Sequence, residues 1–169
     1  MTQIRTSEHR EDLKMIELDE FEFHQSHLLE PGNLALFPHL TMNLGITIIT
    51  DFDKRRVAVP LNQTTAAHDW LDIDEIGDIA CRITDYTFEL DPVTICITPT
   101  AGALAIRNNM LSIVVKGRHN LYQIPFKEIE RSAGGKTMFF PRWRIIRQNG
   151  DRCVTIFSSP EQPTAGTTT

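Results

Sequence analysis

The chain has 169 residues, 41% of them hydrophobic and 23% charged, a balance that excludes wholesale disorder and leaves enough apolar surface for one core without cross-links. Its net charge of -5 conceals a division: seven Lys/Arg stand against eighteen Asp/Glu up to Thr98, and ten against four beyond it, so the halves carry -11 and +6. Opposed halves of this kind attract partners of the opposite sign, another copy of the chain included.

In chain order, residues 1–14 read as a polar N-terminal arm, 15–157 as a single β-rich globular domain and 158–169 as a Pro/Thr-rich tail (SSPEQPTAGTTT) with nothing to bury. Met15 to Phe23 alternates apolar and acidic residues as a half-buried strand does. Pro31-Gly32 marks a turn. Ile46 to Thr50 (ITIIT), the polar bend DFDKR and the run Val57-Ala58-Val59 predict a hairpin with β-branched arms, ended by Pro60.

Trp70, Ile73, Ile76, Ile79 and Ile83 then recur at three- and four-residue steps among Asp69, Asp72, Asp74, Glu75 and Asp78, which predicts one amphipathic helix with acids near its N-terminus. After Asp85 strands return as YTFEL, VTICIT, ALAI, MLSIVV and LYQIPF, with a short helical turn expected around Phe126 to Arg131. Asn149-Gly150 predicts a two-residue type I′ turn. That turn pairs 147 with 152, 145 with 154 and 143 with 156. It gathers Trp143, Ile145, Val154 and Ile156 on one face and sets Arg142, Arg144 and Thr155 on the other. The fold class expected is mainly β (α+β the alternative): an antiparallel barrel- or sandwich-like core of about seven to nine strands, one amphipathic helix and a C-terminal β-hairpin.

The basic residues of the second half carry the functional expectation. Arg118, Lys136, Arg142, Arg144, Arg147 and Arg152 are taken as partner-binding residues that meet an acidic protein surface, a second copy among the candidates. This describes a non-catalytic interaction or assembly protein, a self-associating phage or viral structural component being one setting. Nucleic acid is the alternative partner, because arginines contact phosphates and exposed aromatics such as Tyr122 and Trp143 stack on bases.

A second alternative is a metal-dependent hydrolase around His68-Asp69, whose dipeptide is similar to that of HD-type phosphohydrolases, with Asp72, Asp74 and Asp78 as further oxygen donors. Those acids crowd one stretch, and no metal site or cofactor is assigned. His24 and His27 lack the companions of a zinc set. Ser132 to Thr137 resembles the end of a phosphate-binding loop, yet Glu130 stands where its first glycine belongs, and a strand rather than a helix is expected to follow. No nucleophile elbow is present, and Cys153 has no neighbouring His, so no catalytic residue is assigned.

Cys81, Cys96 and Cys153 are an odd number in apolar runs, read as free thiols of a reducing compartment. No apolar run approaches the ~20 residues of a membrane helix, and the opening MTQIRTSEHREDLK lacks the apolar stretch of a secretory leader. A cytoplasmic location is expected, in the host cytoplasm or the virion if a virus encodes the chain.

Overall fold

The computed structural model describes residues 22–37, 45–61, 70–76, 79–130 and 135–159. The arm 1–14, most of the Met15–Phe23 alternation, His68, Asp69, Asp78 and residues 160–169 of the tail lie outside the described residues. Six strands, β1 (Glu22–Gln25), β2 (Leu34–Leu36), β3 (Ile46–Phe52), β4 (Arg55–Pro60), β5 (Leu71–Asp72) and β6 (Ile79–Ile83), form one sheet in the order β1-β6-β2-β3-β4-β5. The chain then leaves it through β7 (Tyr86–Leu90). A four-stranded sheet, order β10-β9-β8-β11, follows from β8 (Leu104–Arg107), β9 (Met110–Lys116), β10 (Leu121–Glu128) and β11 (Met138–Phe140). Finally β12 (Trp143–Asn149) and β13 (Arg152–Ser158) join β7 in a three-stranded sheet, order β13-β12-β7. Every pairing is antiparallel.

Strand alternation explains where the core lies. In the six-stranded sheet Ile83, Leu34, Ile48 and Val59 are successive cross-strand partners and make one row. Leu104, Ile113 and Ile124 make the matching row in the four-stranded sheet. Both rows meet Trp143 and Ile145 of β12 in one buried cluster, where each fully covered aliphatic side chain contributes ~1.5–3 kcal/mol. Thr50 Oγ1 donates to the Pro125 carbonyl at 2.5 Å, so a buried hydroxyl between the sheets is satisfied.

The opposite face of the six-stranded sheet is also covered. There Ala35, Ala58 and Ala80 leave room for Leu29, Phe37, Ile73 and Ile76 to pack closely. A strand buried on both faces reads as a near-continuous apolar run, which is why ITIIT and VAV carry so little polar alternation. Their hairpin forms as expected. Asp53 and Lys54, at φ 51° and 64°, make its two-residue loop between the partners Phe52 and Arg55, the left-handed pair that a type I′ turn requires.

Three expectations need correction. The Trp70–Ile83 helix is replaced by β5, a 3-10 turn at Ile73–Glu75 and β6. A 3-10 turn has three residues per turn, so Ile73 and Ile76 fall together and imitate the helical period. The helical turn around Phe126 is strand instead, with β10 continuing to Glu128 across a bulge between Pro125 and Lys127.

In the last hairpin the loop is Gly150-Asp151, closed by the Asn149–Arg152 pair. Gly150 takes φ 56° as the first loop residue, the place glycine holds in a type II′ turn. Arg147 therefore faces Val154 rather than Arg152. A bulge after Ile145 then shifts the ladder, so that Ile145 faces Phe157 and Ile146 faces Thr155. The extra residue lets the consecutive Ile156 and Phe157 both pack against the core.

Candidate interaction surface

The structure distributes the six nominated cations over separate places. Arg142 and Arg144 lie where the three-stranded sheet turns its outer face to solvent. Arg144 is the cross-strand partner of Glu89, and its Nε sits 2.5 Å from Glu89 Oε2. Arg142 places Nη2 3.0 Å from Asp91 Oδ2. These are carboxylates of the acidic half, so the division in the sequence is partly neutralised within the molecule. Arg147 is half-buried opposite Tyr86, and Arg152 is exposed beside the turn. Arg118 is exposed in the loop between β9 and β10, and Lys136 is exposed just ahead of β11.

The aromatic residues fit a stacking role poorly. Trp143 is 4% exposed, with Nε1 donating to the Gly102 carbonyl at 2.8 Å and its ring against Phe88 and Phe157. Tyr122 is partly exposed but engaged edge-on by Phe52 and Trp70 at 5.5 and 5.6 Å between ring centroids. That packing depends on Gly117, where an added Cβ would stand 2.4 Å from the tyrosine ring.

The metal candidates are not brought together. Asp72 accepts from Arg55 Nη1 at 2.9 Å, and His24 contacts Glu22 at 3.2 Å. His27 stands exposed in a separate 3-10 turn. Among the described residues no three His, Cys, Asp or Glu side chains converge on a metal-sized site. Gly135-Lys136 leads into β11 and not into a helix, which removes the anion-binding N-terminus a phosphate loop needs. Among the described residues no helix is long and apolar enough to cross a membrane.

A cleft where β6 passes into β7 is lined by Glu22, Asn33, Arg82, Asp85, Tyr86 and Lys127. Arg82 lies 3.8 Å from Glu22, and Lys127 Nζ sits over the Tyr86 and Phe88 rings at 5.4 and 5.9 Å from their centroids. Burial pushes the Tyr86 phenol above its ordinary pKa of 10.0, against a smaller downward pull from Arg82. Its hydroxyl donates to the Gly32 carbonyl and ties β7 to the turn before β2.

Sequence reasoning missed the most exposed apolar surface of the described chain. VTICIT was expected as a strand. Instead Pro92–Thr94 forms a 3-10 turn capped by Asp91, whose carboxylate accepts from Val93 N at 3.0 Å. Only Cys96 then pairs, exchanging two 3.0 Å hydrogen bonds with Phe139 on the free side of β11. Cys96 packs inward with Ala103, Ala105, Val114 and Phe139. Val93, Ile95 and Ile97 stay out of that cluster and are 85%, 45% and 87% exposed. Strict alternation about a thiol was the signal for a two-faced edge, and it does not say which face stays uncovered.

No family model, curated protein or solved structure matches this chain. The surface must therefore be interpreted from its own chemistry. Exposed β-branched side chains on a free sheet edge are a surface that folded proteins ordinarily keep covered.

Proposed function

We propose that the chain is a non-catalytic interaction and assembly protein. The observation that carries this reading is the near-complete exposure of Val93 and Ile97, at 85% and 87%, on a segment that already pairs with a sheet by its other side. Water-exposed β-branched residues on an open edge are what a folded protein ordinarily avoids unless a partner covers them. The basic contribution narrows to Arg118, Lys136 and Arg152, which make no ion pair among the described residues and remain available to an acidic protein surface. Arg142 and Arg144 answer first to Glu89 and Asp91.

Light scattering behind a sizing column, at low and high salt, tests the reading. We expect species heavier than one chain. A component that dissolves with salt reports the three cations, since screening weakens exposed charge contacts. The variant carrying Arg118→Glu, Lys136→Glu and Arg152→Glu removes that component selectively. A single chain at every concentration and salt, with no binding to an acidic polypeptide such as polyglutamate, refutes the reading.

A further inference from the structure

We propose that the end of the molecule where the β3–β4 and β9–β10 hairpins turn is a docking site for residues 17–23 of a second copy, the acidic run ELDEFEF. The inference rests on the interaction reading above and names the place and the partner.

Sequence separates the parts of this end, and the fold joins them. Phe52 closes β3 just before the Asp53-Lys54 loop. Tyr122 lies near the start of β10, just after the Arg118-His119 loop that the Gly117 N–H closes on the Asn120 carbonyl at 2.8 Å. The two rings stand 5.5 Å apart between centroids, and Trp70 meets them at 5.1 and 5.6 Å. Three rings packed edge to face hold both loops at one place.

The cations gathered there are not answered. The side chains of Lys54, Arg118 and His119 are exposed and make no ion pair or hydrogen bond among the described residues, whereas Arg55 and Arg56, next along the first hairpin, are held by Asp72 and Asp51. Asp53 is the only carboxylate in either loop. Leu121 and Tyr122, 42% and 38% exposed, set apolar surface beside the charge.

The same two properties select the occupant. Glu17, Asp19, Glu20 and Glu22 put four acids into six residues with no base among them, a density that no other six consecutive residues of the chain reach. Leu18, Phe21 and Phe23 stand between and beside them. At the described end of the run the Glu22 side chain is 57% exposed and Phe23 59%, and Glu22 makes only outlying contacts with His24 and Arg82, at 3.2 and 3.8 Å. Carboxylates suit the unpaired cations, whose attraction governs approach and orientation, and apolar side chains suit Leu121 and Tyr122, whose burial governs how long the contact lasts. Site and run are different patches of one surface. The contact is therefore head to tail, and each added copy offers a new free site.

Fluorescence anisotropy of a labelled peptide of residues 15–25, titrated with the full chain, decides the matter, with urea midpoints confirming that each variant folds. We expect saturable binding that weakens with salt. Lys54→Glu together with Arg118→Glu should weaken it by at least about tenfold, and so should Phe21→Ser with Phe23→Ser in the peptide, by about the same factor. Arg107→Glu, at an exposed cation by the far end of β9, should leave it unchanged. In sedimentation velocity at low salt the whole chain should grow past a dimer as concentration rises, and the double variant should lose that growth. Equal loss with Arg107→Glu would overturn the site in favour of bulk charge. Binding of oligothymidylate in place of the peptide would make nucleic acid the occupant. Peptide binding by a chain that never associates would remove the second copy as its source. No peptide binding, by a chain that still associates or binds polyglutamate, overturns the inference and leaves the interaction reading standing.

Discussion

Glu89 and Asp91 hold Arg144 and Arg142 at 2.5 and 3.0 Å, whereas Val93 and Ile97, next along the same chain, stand 85% and 87% exposed. The difference is one of available neighbours. The ladder of β7 and β12 sets Arg144 beside Glu89, and just past its end Arg142 reaches Asp91, so these charges are answered within the molecule. Past Asp91 the chain leaves the sheet, and its β-branched side chains have no second strand to cover them. Two of the residues that composition marks as adhesive, Arg142 and Arg144, are already paired, and the neutral strip beyond Asp91 is open.

The contrast is sharpened most by Ile145→Ala. Ile145 is fully buried directly beneath the Arg144–Glu89 face, and its truncation should cost about 3 kcal/mol in urea denaturation. A smaller loss than Arg144→Ala produces would mean that the outer charges, not the core, hold the sheet. Next comes Tyr86→Phe, at about 1 kcal/mol for the lost hydrogen bond to Gly32. The folded phenol titrates above its ordinary 10.0, so its contribution is complete below that pH and falls as pH rises through the folded pKa. Alkaline melting curves should show this fall in the wild type and a flatter one in Tyr86→Phe.

Smaller still is the coupling between Arg144 and Glu89. Their side chains are 55% and 41% exposed, and a double-mutant cycle should give about 0.5 kcal/mol, vanishing in high salt. A coupling several times larger would break the view of this face as ordinary solvated pairing. Ile97→Lys should change stability least, by no more than about 0.5 kcal/mol in either direction. It should nevertheless remove the part of the association that salt leaves untouched. Stability and stickiness would thereby separate onto different residues of one short stretch.

Local turn chemistry and β-branched runs made the two hairpins legible, around Asp53-Lys54 and around Gly150. Register was harder. Asn149-Gly150 and Gly150-Asp151 both offer glycine to a tight turn, and the bulge that admits Ile156 and Phe157 to the core together has no local signature. Trp70–Ile83 misled because period three belongs to a 3-10 turn as well as to a helix face, and Ile79, counted as a core position, is 56% exposed. Of the nominated surface, composition names the cations but not their neighbours. Cross-strand pairing with Glu89 depends on which strands become neighbours, and that is a property of the tertiary fold.

The chain has two tryptophans, and one of them is placed as a gauge of assembly between its layers. Trp143 grows from the three-stranded sheet yet anchors its indole nitrogen on Gly102, at the entrance to the four-stranded one. Its fluorescence will report whether those two layers are seated together. Separation alone would redden and dim the emission while circular dichroism still recorded intact strands.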